Sequence, residues 1–337
     1  MTRTVVITGA SAGVGRAVAQ AYAARVDRLA LIARGRAGLD GAEADCCAAG
    51  AADVRTYQVD VSDPEALQGA ANDVAARFDG IDVWVNDAFL SVFAPAWEIP
   101  PAEYRRVTEV NYLGTVHGSL AALRHMRAAG HGAIVQVGSA LAYRGIPLQA
   151  PYCATKHAIQ GFNDSLRAEL LHDCPRVTLS MVQLPAINTP QFSWVRTRLP
   201  RHPQPVPPIY QPEVAAKAVL WAADNGKREV NVGSATWKTR LADIVAPGLL
   251  DRLLSRADQG YEAQQTPDPI DPLTWQDNVD QPVDEDRDHG AHGVFDEQAK
   301  EHSKALWLTM HKPLVGSLVG AGLGLAAAGV TAALRRR

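Results

Sequence analysis

The sequence predicts an α/β fold built on a doubly wound, seven-stranded parallel sheet. From the N-terminus to about residue 235, short β-branched or apolar runs alternate with longer helical patterns, as crossover connections between parallel strands require. Several runs, such as Ile81-Asp82-Val83-Trp84-Val85, lack the polar alternation of a half-exposed strand, which suits a sheet covered by helices on both faces. Composition agrees, since 47% of the 337 residues are apolar and 20% charged, enough to bury a sizeable core.

Taken in order, strands are expected near 4 to 8, 28 to 33, 53 to 59, 81 to 86, 132 to 138, 176 to 184 and 229 to 232. Helices are expected between them, near 14 to 24, 39 to 49, 64 to 78, 101 to 130, 152 to 173 and 212 to 225. Ser62 or Asp63, just before Pro64, is placed to cap the third helix. Between Pro190 and Pro212 the chain carries Pro200, Pro203, Pro205, Pro207 and Pro208, too many for a regular helix or central strand. That stretch follows the sixth strand and is expected to hang over the carboxyl edge of the sheet as a substrate lid; a proline-stiffened connection is the alternative. Residues 236 to 257 look helical. The expected division is a catalytic body over 1–257, an acidic proline-rich linker over 258–302 and an apolar tail over 303–337.

The first strand ends in Thr8-Gly9-Ala10-Ser11-Ala12-Gly13-Val14-Gly15, and a helical pattern follows at once. Glycines let the backbone approach a pyrophosphate while the helix N-terminus offers unpaired N–H donors. A bare tight turn would also use glycine, but the position between strand and helix favours a dinucleotide. Arg34 ends the second strand nineteen residues beyond Gly15, where an acid would accept from ribose hydroxyls and an arginine suits a 2′-phosphate. NADP(H) is therefore expected over NAD(H), with Arg36 as a helper. Asp60, ending the third strand beside Val61, is expected to accept from the adenine amino group.

Tyr152 and Lys156 lie four apart and share a helical face, and Ser139 closes the fifth strand thirteen residues earlier. A phenol with an ordinary pKa of about 10 is a poor base, and a nearby ammonium favours its phenolate. Negative charge growing on a carbonyl oxygen during hydride arrival calls for a hydroxyl such as Ser139 and a proton from Tyr152. Asn111 sits in a helix, where a buried amide needs a partner.

Thr8-Gly9-xxx-Gly13-x-Gly15, Asp60, Asn86-x-Ala88, Asn111, Ser139 and Tyr152-xxx-Lys156 together resemble the pattern of the short-chain dehydrogenases/reductases, over about residues 3 to 235. The resemblance implies a Rossmann sheet and hydride transfer between a nicotinamide and a carbonyl or alcohol. It implies Tyr152 as general acid/base, Ser139 on the reacting oxygen, Lys156 on the nicotinamide ribose and Asn111 supporting a water in the proton relay. Gly9, Ser11, Gly13, Val14, Gly15, Arg34, Asp60, Val61, Asn86, Ala88, Tyr152, Lys156, Pro185, Ile187 and Thr189 are the expected cofactor contacts. The chain departs from the family in two places. Asn86-Asp87-Ala88-Phe89 stands where Asn-Asn-Ala-Gly is common, and Thr189 lies four rather than five residues beyond Pro185.

The formal charge of −3 offers no basic field for nucleic acid. It hides an asymmetry: residues 258 to 300 hold 12 Asp or Glu against only Arg287 and Lys300, a local −10 that leaves +7 elsewhere. Four cysteines without metal-ligand spacing suit a reducing compartment, no signal peptide opens the chain, and a cytosolic body is expected. No metal is expected, although Asp288-His289-Gly290-Ala291-His292 holds ligand types. Residues 313 to 334 carry no charge, lie between Lys312 and Arg335-Arg336-Arg337, and repeat Gly316, Gly320, Gly324 and Ala328 every four residues. At about 33 Å as a helix this segment is long enough for a bilayer core, so membrane contact is expected, with burial in an oligomer as the alternative, and the chain is expected to form a homo-oligomer. The expected activity is an NADP(H)-dependent oxidoreductase acting on an apolar or lipid-like carbonyl or secondary alcohol. A non-catalytic NADP(H) sensor or scaffold is the runner-up.

Overall fold

A computed structural model describes residues 2–311 of the chain. Its central sheet has seven strands, β1 (Thr4–Thr8), β2 (Arg28–Ala33), β3 (Asp53–Gln58), β4 (Val83–Asn86), β5 (Gly132–Ser139), β6 (Val177–Leu184) and β7 (Glu229–Asn231). They lie in the order β7-β6-β5-β4-β1-β2-β3, and every pairing is parallel. After β3 the chain returns across β1 to build outward from β4, so the order reverses between β1 and β4. There the carboxyl ends of two neighbouring strands diverge into a crevice. Thr8 ties them together: its hydroxyl accepts from the Asp87 and Ala88 N–H groups at 3.2 and 3.3 Å.

Helices cover both faces, which explains the unbroken apolar strands. One face buries α1 (Gly13–Ala23), α2 (Arg36–Ala48) and α7 (Pro212–Asn225) against Val5, Ile7, Leu29, Leu31 and Val135. The other buries α3 (Pro64–Phe78), α5 (Gly114–Ala129) and α6 (Ala150–Asp173) against Val6, Ile32, Trp84 and Ile134. Asp63 is the α3 cap, accepting from Glu65 and Ala66 N–H at 3.0 Å each.

The single helix expected over 101 to 130 is three segments: α4 (Pro101–Val107), a π-helical turn at Thr108–Leu113, and α5. The widened turn sets Asn111 against the chain leaving β4, where its amide accepts from Leu90 N–H at 2.6 Å and donates to Leu90 C=O at 2.9 Å. The stretch after β6 carries short parallel pairings, Ala186–Ile187 with Ile209–Tyr210 and Val92–Phe93 with Arg196–Thr197. The helical region expected over 236 to 257 holds α8 (Ser234–Val245) and α9 (Pro247–Leu254), broken at Ala246 and ending at Leu254.

The acidic region corrects the picture of a linker. It is extended but packed on the body along its length. Gln265–Pro269 pairs antiparallel with Arg201–Pro203. Val279 is fully buried, Phe295 fills a cluster with Phe93 and Phe192, and Lys300 N–H donates to Ile209 C=O at 2.9 Å. Opposite charge holds it there, Arg196 meeting Asp277 at 3.0 Å and Asp280 at 2.7 Å, and Arg16 meeting Asp288 at 3.1 Å. Beyond it, Ser303 caps α10 (Lys304–Met310), whose Leu306 is buried in the core. The expected membrane segment 313–334 lies outside the described residues; among the described residues no helix is long and apolar enough to cross a membrane.

Replacing Asp63 with Ala removes the acceptor for two N–H groups and should cost about 1 kcal/mol. Thermal denaturation should show a transition lowered by a few degrees, with the fold otherwise retained.

Candidate active site

Because all seven strands are parallel, every loop that follows one opens on the same edge. Gly9, at φ +72°, turns the chain out of β1; a Cβ there would lie 2.9 Å from the Ala88 backbone. Gly13 is also left-handed, at φ +58°, and a Cβ on Gly15 would strike Gly9 C=O at 2.2 Å. The glycines therefore seat the N-terminus of α1 against the loops after β1 and β4, and no side chain caps that helix. A cavity of about 140 Å³ runs past this turn, lined by Gly9, Ser11, Gly13, Val14, Arg34, Asp60, Val61, Ala88 and Thr189 among others. A helix N-terminus without a side-chain cap, beside a cradle that a Cβ would fill, fits a bound dinucleotide.

Several expected contacts have protein partners of their own. The Asn86 amide is spent in the core, donating to Gln136 at 2.9 Å and accepting from Trp84 Nε1 at 2.8 Å. Gly15 acts through packing rather than by lining the cavity. Asp60, expected on adenine, binds Arg106 and the Ser62 hydroxyl instead. Burial pushes its carboxyl up, but those hydrogen bonds outweigh it and hold the group below the usual range. Arg34 lines the cavity, yet its guanidinium donates to the backbone carbonyls of Asn278 and Val279, the latter at 3.2 Å. Thr189 keeps a buried hydroxyl without a protein partner, in position for a polar ligand atom.

A second cavity, of about 420 Å³, continues from the first; Val14, Asp87, Phe89, Ser91 and Thr189 line both. At its floor lie Ser139, Tyr152, Lys156, Pro185 and Ile187. Its walls include Leu141, Ile146, Val206, Leu250, Leu253 and Leu254, so the proline-rich stretch and α9 both border it. Tyr152 is pushed up by burial, an effect partly offset by a hydrogen bond with Ser139. The Lys156 ammonium donates to Val137 C=O at 2.8 Å and lies 5.5 Å from the Tyr152 ring centre. Asn111 spends its amide on Leu90 and Thr155, one residue from Lys156, so in this structure it braces the site rather than touching it.

Asp87 and Phe89, the departures after β4, both enter the site. Phe89 packs edge-on to Tyr152 with ring centres 5.8 Å apart, and Lys156 lies 5.6 Å from its ring centre. Asp87 is buried, receives the Gly15 N–H and leaves Oδ1 without a partner. Burial pushes its carboxyl up to about 8, and burial pushes the Lys156 ammonium down to about 8, each charge partly offsetting the shift of the other. The ligand types after residue 287 are used internally: His292 bonds Asp296 at 2.7 Å and Glu213 at 2.9 Å, while His289 packs on Trp194.

The family model described as short chain dehydrogenase matches residues 3–199, more than half the chain. The chain belongs to the short-chain dehydrogenase family. It is similar to the uncharacterized oxidoreductase YxnA of Bacillus subtilis, at 30% identity over 272 residues, 80% of this chain and 76% of that one. It is also similar to D-threitol dehydrogenase of Mycolicibacterium smegmatis, at 31% identity over 231 residues, 66% of this chain and 86% of that one. Among solved structures, an alcohol dehydrogenase of the archaeon Thermococcus sibiricus, complexed with 5-hydroxy-NADP, superposes with a TM-score of 0.59 at 28% identity. That match covers 68% of this chain and 95% of the archaeal one. This short-chain dehydrogenase is thus an oxidoreductase on a fold that binds a nicotinamide cofactor.

Asp87 offers a direct test of the site's electrostatics. The folded protein keeps the Asp87 proton to about pH 8, whereas the unfolded chain releases it near 3.8, so this group's stabilisation is lost as pH rises between those values. Asp87→Asn removes that loss. Without the carboxylate, Lys156 also discharges lower than it does now, which again favours the variant as pH rises. Denaturant titrations from about pH 5 to about pH 8 should show Asp87→Asn gaining stability relative to the parent. A constant difference would mean the pair is not coupled to folding.

Proposed function

We propose that this short-chain dehydrogenase transfers hydride between NADP(H) and an apolar carbonyl compound or secondary alcohol. The convergence of Ser139, Tyr152 and Lys156 on the floor of one apolar cavity, continuous with a dinucleotide cradle, carries the reading. The nicotinamide supplies or accepts the hydride. Tyr152 delivers its phenolic proton to the oxygen of the reduced carbonyl, or takes it back in the reverse direction. The Ser139 hydroxyl holds that oxygen while charge develops on it. The Lys156 ammonium lowers the cost of the phenolate and would hold the nicotinamide ribose hydroxyls, and Asn111 braces the chain after β4, where a relay water would hang. Thr189 would offer its unpartnered hydroxyl to the nicotinamide carboxamide.

The wall of Leu141, Ile146, Val206, Leu250, Leu253 and Leu254 favours a substrate whose bulk is hydrocarbon, with one polar group at the reacting carbon. The archaeal neighbour's ligand and the presence of Arg34 at the end of β2 both support NADP(H).

Replacing Tyr152 with Phe should lower turnover at least about a hundredfold on a substrate found by panel assay, because the proton donor is lost. The NADPH dissociation constant should stay within about threefold, since the ring and its packing persist. Equal turnover by the variant would refute the assignment of Tyr152.

A further inference from the structure

The acidic segment does more than cover the body. Residues 277–290 form a strap across the adenosine end of the cofactor cavity, and they use the donors that a 2′-phosphate would need. Arg34 donates to the Asn278 and Val279 carbonyls. All three leading N–H groups of α2 are also taken: Arg36 N–H donates to the Glu285 carboxylate at 3.1 Å, Ala37 N–H to Glu285 C=O at 3.0 Å and Gly38 N–H to Asp284 C=O at 3.0 Å. The Asp284 carboxylate is buried, lines the cavity and lies so near Gly35 and Gly38 that a Cβ on either would fall within 2.5 Å of it. Gln58 adds a donor to Glu285 at 3.0 Å. A dianion entering here meets Asp284 and Glu285, with Asp60 already paired to Arg106 and Arg34 already engaged.

We propose that the strap determines cofactor specificity: its Asn278 and Val279 carbonyls compete with a 2′-phosphate for Arg34, Asp284 and Glu285 compete for the N-terminus of α2, and the two carboxylates repel the phosphate. The inference rests on the nicotinamide-cofactor reading above and deepens it. Arg34 draws NADP(H), and the docked strap opposes that draw while leaving a cofactor with a free 2′-hydroxyl unpenalised. NADP(H) binds fully only when the strap yields Arg34, so cofactor and strap are linked by one exchange of partners. By reciprocity, whatever the strap subtracts from NADP(H) affinity, bound NADP(H) subtracts from strap docking.

The test uses the full-length chain and equilibrium binding of NADPH and NADH, followed by nicotinamide fluorescence or calorimetry. The double variant Asp284→Asn, Glu285→Gln keeps the shapes and the Arg36 contact but removes both charges. NADPH should tighten about tenfold or more, and NADH should change by less than about threefold. Equal tightening of both cofactors, or an unchanged NADPH affinity, overturns the proposal while leaving the oxidoreductase reading intact. Failure of every form to bind either cofactor overturns both. A second measurement needs no variant, because Arg287 is the only lysine or arginine between 277 and 290 and it is exposed. Trypsin cleavage after Arg287 should accelerate with saturating NADPH and not with NADH; protection by NADPH would overturn the proposal.

Discussion

The all-parallel pairing of the central sheet is the constraint from which the site follows. A chain that must return through a helix before each new strand leaves every strand's carboxyl end on one edge. Gly9 after β1, Arg34 after β2, Asp60 after β3, Asp87 after β4, Ser139 at the end of β5 and Pro185 after β6 are far apart in sequence. On that edge they border one continuous pair of cavities. The reversal of strand order between β1 and β4 opens the crevice, and the Thr8 hydroxyl holds its two sides in register.

Charge then decides what lies over the edge. The body carries the excess of arginine and the segment from 258 to 300 the excess of acid. Isolated surface ion pairs contribute little, but here they accompany real burial: Val279 and Phe295 enter apolar clusters while Arg16 and Arg196 engage Asp288, Asp277 and Asp280. The same complementarity that docks the strap brings carboxylates to the place where a phosphorylated ribose would sit. Deeper in the site, burial disfavours charge on both Lys156, which donates to Val137 C=O, and Asp87, and each charge when present partly offsets that cost for the other in a medium that screens weakly.

Much of this was legible in residues whose role is set by local geometry. Gly9 and Gly13 were readable because few side chains tolerate their backbone angles, and the Tyr152-xxx-Lys156 spacing because a helix puts such residues on one face. Asn111 was readable as a buried amide needing partners, but not the π-helical turn that supplies them, since a single inserted residue leaves no mark on the apolar periodicity. The side-chain partners of Asn86 and Asp60 were not legible for a different reason. Their side chains had polar competitors, Gln136 and Trp84 for one and Arg106 for the other, on elements remote in sequence. The acidic segment looked like a solvated linker because proline and carboxylate density report solubility of the isolated stretch and say nothing of a basic surface waiting elsewhere. The one available signal was the opposite charge of the two parts.

The sequence by itself therefore determined the parallel α/β architecture, the glycine turn after β1 and the shared helical face of Tyr152 and Lys156, because each rests on contacts within a strand, a turn or one helical face. Only the tertiary structure decided which partners Arg34, Asp60 and Asp87 take, and that residues 277–290 lie across the cofactor edge. Those outcomes depend on groups far apart in sequence, such as Arg34 and Val279, 245 positions apart, meeting at distances where hydrogen bonds and desolvation choose among many chemically equivalent partners.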